Sequence, residues 1–175
     1  LNLQELQASL NERTVLVSLM QVNNETGAVT DLAGIAKVIK AAGSMALLHT
    51  DAVQGFLKVP FCPKELGVDM ASLSGHKIHA PKGIGALYIK KGTRIERLIY
   101  GGEQEKGMRA GTENVAGIVG MGKAAEIARE SLDEDSAHTS GLRDLMIGCA
   151  LEQLKNIRIN GLNVERLPGH VHMTI

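Results

Sequence analysis

The feature that most constrains the fold is a succession of short apolar runs, each followed by polar residues. Thr14–Met20 is rich in β-branched residues and predicts a buried strand, and Met45–Leu48 predicts the next one. Met70–Leu73 and Ile84–Ile89 are two further runs, separated by the polar segment Ser74–Gly83, which we call the lysine loop. Runs of this length suit strands better than helices, and a helical pattern lies between the first two. The alternation of strand, polar loop and helix predicts an α/β fold, with a mostly parallel sheet flanked by helices.

Apolar residues at helical spacing predict four helices. They cover residues 3–10, the segment from Asp31 to Gly43, about residues 115–129 and about residues 140–154. Asp31 and Asn114 stand where an N-cap is needed, because a short polar side chain there accepts a hydrogen bond from the first turn. Two short strands are expected at 157–159 and 171–173.

Composition excludes several classes of function. The chain has 19 basic and 19 acidic residues, so no basic surplus indicates a nucleic acid or a membrane surface as partner. Only 2% of the residues are aromatic, which argues against a base-stacking platform, and no apolar run is long enough to span a bilayer. The two cysteines, Cys62 and Cys149, lack the spacing of a metal or disulfide motif, so we expect a reducing, cytoplasmic setting.

The lysine loop and the strand ends before it carry residues that suit one cofactor, pyridoxal 5'-phosphate (PLP). A lysine such as Lys77 is most often a solvated surface charge, but its neutral amine can form a Schiff base with a carbonyl. PLP also needs a carboxylate opposite its ring nitrogen, and Asp51 at a predicted strand end can supply it. Gln54 lies three residues further on and can donate to the ring oxygen. Short donors suited to the phosphate are Ser74, His76 and Thr112.

Four sequence blocks carry a resemblance to a known family. They are VNNETG (22–27), HTDAVQ (49–54), SGHKIHAPKGIGALY (74–88) and GGEQEKGMRAGTEN (101–114). Their order and spacing resemble those of the cysteine desulfurases of the NifS and IscS type, within the class V aminotransferase family. The resemblance covers essentially the whole chain, and it rests on the combination of the blocks rather than on any one of them.

The resemblance implies a role for each candidate residue. Lys77 is similar to the lysine that forms the Schiff base with PLP and moves the substrate's α-proton. Asp51 is similar to the partner of the ring nitrogen, and Gln54 to the contact of the ring hydroxyl. Asn24 is similar to an asparagine near the ring and the substrate carboxylate. The implied phosphate ligands are Ser74, His76 and, across a homodimer interface, Thr112.

The resemblance also implies a domain organisation and a reaction. Residues 1–130 would be the central part of the PLP-binding large domain of a type I transferase, and residues 131–175 would begin the crossover to the small domain. The implied enzyme removes sulfur from L-cysteine, leaving alanine and an enzyme persulfide. A sulfur-acceptor protein would take the sulfur up for iron–sulfur cluster assembly and sulfur metabolism. The resemblance implies no metal at the site.

Three alternatives stay open from the sequence. Selenocysteine lyase, or another class V enzyme, uses the same lysine site, and the loop that carries the persulfide cysteine is not among these residues. Cys62 and Cys149 lack the context of that loop and are interpreted as inert. The second alternative is a non-catalytic fragment, expected because the chain lacks an initiator methionine and stops within an apolar run. The third is a metal-dependent hydrolase, whose ligands would come from His49, Asp51, His76 and His79.

Overall fold

Four strands form the central sheet in the computed structural model, which describes all 175 residues of the chain. They are β1 (Leu16–Met20), β2 (Leu47–Asp51), β3 (Met70–Ser74) and β4 (Gly85–Ile89), and they lie in that order across the sheet. β1, β2 and β3 run parallel, whereas β4 returns antiparallel to β3. The mostly parallel sheet confirms the predicted α/β fold.

Five helices and a small second sheet complete the chain. The helices are α1 (Leu3–Ser9), α2 (Leu32–Ala41), α3 (Pro63–Leu66), α4 (Val115–Glu130) and α5 (Leu132–Gln153). The second sheet pairs β5 (Arg158–Ile159) with β6 (Met173–Thr174) in antiparallel fashion. None of the helices combines the length and the apolar character needed to cross a lipid bilayer.

Helix α2 packs on one face of the central sheet. It lies in the connection between β1 and β2, because two parallel strands need a crossover from the end of one to the start of the next. Val17, Leu48 and Ala71 share this face, because side chains alternate between the faces along each strand. The helix buries three side chains of its own against them: Leu32, Ile35 and Ile39. Each large aliphatic side chain buried in this way stabilises the fold by about 1.5–3 kcal/mol.

Local signals place the start of α2 and α4 where the sequence predicts them. The Asp31 carboxylate accepts a hydrogen bond from the Gly34 N–H at 2.8 Å, and the Asn114 side-chain oxygen accepts one from the Gly117 N–H at 3.0 Å. Both side chains satisfy a donor that the first helical turn otherwise leaves unpaired. The N-cap predictions are confirmed.

The position of β2 differs from the prediction. Met45 is 93% exposed and lies before the strand, which instead continues through His49 and Thr50 to Asp51. The Thr50 hydroxyl donates to the Leu19 carbonyl at 3.0 Å, so a polar residue is accommodated inside the sheet. A prediction based on apolar residues alone therefore places the end of this strand at Leu48, three residues before its observed end at Asp51.

The last long helix also differs from the prediction. α5 begins at Leu132, eight residues before the predicted start at 140. Its first turn is acidic, with Asp133, Glu134 and Asp135, and negative charge favours a helix N-terminus even where apolar periodicity is absent. The short helix α3 is absent from the sequence prediction. The division into domains at residue 130 stays a prediction.

Candidate functional site

Three parallel strands bring the predicted site residues to one edge of the sheet. Asp51 is the last residue of β2 and Ser74 the last of β3, while Asn24 follows the end of β1 at Met20. The register pairs Met20 with Asp51, so the first two strands end level with each other. The carboxyl ends of parallel strands are where open α/β sheets bind ligands, and the structure provides such an edge here.

The lysine loop begins with a single 3₁₀ turn over Gly75–Ile78, and Lys77 lies within it. Ile78 is 3% exposed and anchors the turn, and the left-handed backbone of His79, at φ 66°, ends it. A second brace is the 2.9 Å hydrogen bond from the Gly75 N–H to the Ile84 carbonyl. Lys77 is half-buried and its backbone is fixed on both sides, which suits a side chain that must meet a ligand.

Ser74 and His76 form a pair at the start of this loop. The Ser74 hydroxyl oxygen lies 2.7 Å from His76 Nδ1, and His76 is exposed. One neutral imidazole offers a single donor and a single acceptor, so this contact leaves Nε2 available. The structure therefore brings two of the predicted phosphate ligands together.

A cavity of about 380 Å³ opens beside Lys77. The lysine loop supplies Lys77, Ile78 and His79 to its wall, and α5 supplies Asp135 and Thr139. Two basic residues that the sequence analysis does not single out also line it: Lys58 and His170. A volume of this order suits a small-molecule ligand, and the charged residues of the wall are two lysines, Lys58 and Lys77, and one carboxylate, Asp135.

The basic residues of the wall influence one another. Burial lowers the pKa of the Lys58 ammonium below its usual value, and the nearby charge of Lys77 lowers it further. Burial is also the main cause that lowers the pKa of His170, and the charge of Lys58 adds to the effect. The charges of Lys58 and Lys77 disfavour further positive charge in the cavity, whereas burial, the larger cause, disfavours a charge of either sign.

His170 reaches this wall because its segment packs on the turn after β1. Gly27 has a left-handed φ of +73°, and a Cβ added to it would lie 2.5 Å from the His170 Cβ. The His170 ring donates a hydrogen bond to the backbone of Asn24, which raises the pKa of the imidazole against the larger, opposite effect of burial. The contact is long-range, which is why sequence reasoning missed His170. The sequence signals are the glycine that ends VNNETG and the PGH tripeptide 168–170.

The remaining predicted residues lie around this edge without a shared contact. The Asp51 carboxylate accepts a hydrogen bond from the Val53 N–H at 3.0 Å, and Gln54 is half-buried in the turn that follows. Thr112 is exposed on the glycine-rich loop before α4. Lys77 is the one predicted site residue in the cavity wall, and the other six lie outside it: Asn24, Asp51, Gln54, Ser74, His76 and Thr112. Cys62 and Cys149 are both free and exposed, and neither lines the cavity.

The residues named for a metal site do not cluster. No group of three or more histidine, cysteine, aspartate or glutamate side chains is placed to hold a metal ion. Both ring nitrogens of His49 lie within hydrogen-bond distance of serine hydroxyls, those of Ser18 and Ser72.

Comparison with known proteins matches the whole chain to one family. The family model for aminotransferase class V matches residues 1–175. A cysteine desulfurase of Gluconacetobacter diazotrophicus is 49% identical over 161 residues, which are 92% of this chain and 40% of that protein. The chain therefore spans about two fifths of the length of this curated relative.

Solved structures agree with the sequence match. A NifS-like protein superposes with a TM-score of 0.90 at 42% identity, over 96% of this chain and 46% of the other. A structure described as SspA in complex with cysteine superposes with a TM-score of 0.68 at 39% identity, over 72% of this chain and 36% of the other. The α/β architecture described above is thus shared with NifS-like proteins.

Proposed function

Because the chain belongs to the class V aminotransferase family, we propose that its lysine loop holds PLP and that the intact protein is a cysteine desulfurase. The observation that carries the proposal is the position of Lys77, half-buried in a fixed turn that follows the carboxyl end of β3. Relatives named cysteine desulfurase at 49% and 48% identity support the reaction.

The residues present fit the cofactor chemically. Lys77 offers an amine to the aldehyde, and Asp51 offers a carboxylate at the end of the neighbouring strand. The Ser74–His76 pair offers a hydroxyl and an imidazole to the phosphate. An amine, a carboxylate and neutral donors are the set that PLP requires, and each stands at or just beyond a strand end.

Each residue has a defined task in this proposal. Bound PLP would supply an electron sink for the charge left when a bond to the substrate's α-carbon breaks. Asp51 holds a proton at the ring nitrogen by its negative charge, and Gln54 donates to the ring oxygen. Lys77 Nζ takes the proton from the α-carbon, while Ser74 and His76 fix the phosphate. Asn24 would contact the ring and the substrate carboxylate.

The wider reaction and its partners belong to the same proposal. L-cysteine would lose its sulfur to a cysteine thiolate, which becomes a persulfide, and the carbon skeleton would leave as alanine. The cysteine in the SspA structure supports this substrate class. We place the protein in the reducing cytoplasm, as a homodimer in which the exposed Thr112 reaches the phosphate of the other copy and a sulfur-acceptor protein takes the persulfide sulfur.

The experiment compares two lysines of the lysine loop. Purified protein is mixed with PLP, and the visible absorbance of bound cofactor is recorded for the wild type, Lys77→Ala and Lys82→Ala. Lys82 lies in the same loop but is exposed and outside the cavity wall, so it is the matched control. We expect Lys77→Ala to lose the lysine-linked absorbance completely and Lys82→Ala to keep it. Unchanged absorbance in Lys77→Ala would contradict the assignment.

A second measurement tests the substrate. The intact protein that carries these residues is incubated with PLP and either L-cysteine or L-selenocysteine, and alanine is quantified. We expect alanine from L-cysteine, with Lys77→Ala slower by at least about 100-fold. Alanine from L-selenocysteine alone would instead identify a selenocysteine lyase.

A further inference from the structure

A histidine inside the sheet spans the three parallel strands that carry the site. His49 lies in β2, with its Nδ1 2.7 Å from the Ser18 hydroxyl on β1 and its Nε2 2.9 Å from the Ser72 hydroxyl on β3. A neutral imidazole donates from one nitrogen and accepts at the other, and a serine hydroxyl can complement either role. Both ring nitrogens are thus paired, whichever tautomer is present.

This histidine brace, formed by Ser18, His49 and Ser72, lies on the same face of the sheet as Asp51, the predicted partner of the ring nitrogen. His49 and Asp51 are two residues apart on β2, so their side chains share a face of the sheet. The register pairs Asp51 with Ser72, which places one arm of the brace beside the carboxylate. The opposite face holds the apolar core under α2, so the brace is not a part of that core.

We propose that His49 is a positioning residue, which holds β1 and β3 against β2 and thereby fixes Asp51 opposite the ring nitrogen of PLP. The inference rests on the proposed PLP site. Ser18 is exposed and Ser72 half-buried, so the serines contribute little packing, and the hydrogen bonds are what the brace adds. A carboxylate that shifts laterally loses its alignment with a ring nitrogen, since hydrogen bonds weaken steeply away from linear geometry.

The test uses a pair of variants that differ only in the hydroxyl. Ser72→Thr keeps a hydroxyl and Ser72→Val replaces it with a methyl group of similar size, so both impose the same steric change. Two ligands are titrated against each: PLP, and 1-deazapyridoxal phosphate, which has a C–H group in place of the ring nitrogen. We expect Ser72→Val to bind PLP about fivefold more weakly than Ser72→Thr, with a difference below about twofold for the deaza compound.

The possible outcomes distinguish a failure of the proposed role of His49 from a failure of the proposed PLP site. If both ligands weaken equally in Ser72→Val, or if neither weakens, His49 does not act through Asp51 and the inference is overturned while the PLP site stands. If wild-type protein binds neither ligand, the proposed function fails and the inference with it. If either Ser72 variant fails to fold, Ser18→Ala takes its place, because it removes the other hydrogen bond of the brace at an exposed position. We expect Ser18→Ala to weaken the binding of PLP more than that of the deaza compound.

Discussion

Leu48 and Leu145 are the same residue type in two regions of the chain, and their surroundings differ sharply. Leu48 in β2 is 1% exposed, whereas Leu145 in α5 is 64% exposed. Nine buried residues form one apolar cluster between the sheet and α2. In contrast, α4 and α5 each contain a single buried residue, Gly117 and Ile147.

This contrast separates the candidate site residues into two groups. Asp51 ends β2, and Lys77 lies in the turn that follows β3. One face of both strands packs against the apolar core under α2, so the sheet fixes the backbone of both residues. Thr112 precedes α4, whose Val115 and Val119 are each 66% exposed, so its position depends on fewer contacts. The strand-end residues are thus held by the core, whereas the glycine-rich loop is held by local interactions, such as the hydrogen bond from the Gly111 N–H to the Gln104 side chain.

The largest expected effect comes from the matched substitutions Leu48→Ala and Leu145→Ala. Leu48→Ala leaves a cavity between β2 and α2 and should lower the free energy of unfolding by about 2–5 kcal/mol. Leu145→Ala removes an exposed side chain and should change it by less than about 0.5 kcal/mol. Urea denaturation followed by circular dichroism measures both. Equal losses would show that the two regions are equally well packed.

The N-caps of α2 and α4 should show the same difference between the two regions, with a smaller effect on stability. Asp31→Ala and Asn114→Ala each remove a side-chain hydrogen bond to the first turn of a helix, worth about 1 kcal/mol. Since α2 belongs to the core, we expect Asp31→Ala to lower global stability by that amount. We expect Asn114→Ala to speed amide hydrogen exchange within α4 while global stability changes less. If both variants lowered the global free energy of unfolding equally, α4 would be as strongly coupled to the core as α2, which would contradict the difference between the two regions.

Much of the sheet region could be predicted from the sequence because its signals are local. The N-caps and the apolar runs of β1 and β3 depend on neighbouring residues, and the positions of Lys77 and Asp51 at strand ends follow from them. The end of β2 could not be predicted in this way, because His49 and Thr50 are accepted inside the sheet only through bonds to other strands.

The rest of the site depends on contacts between distant segments. Lys58 and His170 meet at the cavity because residues 167–170 pack on the turn at Gly27. The glycine that ends VNNETG and the PGH tripeptide 168–170 indicate turns, but they do not indicate that these two segments meet. The position of these two basic residues beside Lys77 is therefore a finding of the structure alone.

The smallest expected effect concerns the pH dependence of stability through His170. Burial lowers the folded-state pKa of His170 below its unfolded value of 6.5, so the unfolded chain binds the proton more tightly. The stability associated with neutral His170 is fully present above 6.5 and is lost as the pH falls below it. Because the side chain is only partly buried, the loss should stay below about 1 kcal/mol.

The variant His170→Gln tests this dependence directly. Urea midpoints are measured between about pH 8 and pH 5 for the wild type and the variant, whose other histidines are identical and cancel in the difference. We expect the wild type to lose more stability than His170→Gln on acidification. Parallel curves would show that the 167–170 segment does not bury His170 against the sheet region.

The most direct test of the central claim, that the sheet edge holds PLP through Lys77, is to locate a chemically fixed cofactor. The protein is mixed with PLP, reduced with borohydride, digested and mapped by mass spectrometry. We expect one major site of modification at Lys77, with the exposed Lys82 in the same loop unmodified. Label spread over the surface lysines, or concentrated on Lys58 with Lys77 unmodified, would contradict the account.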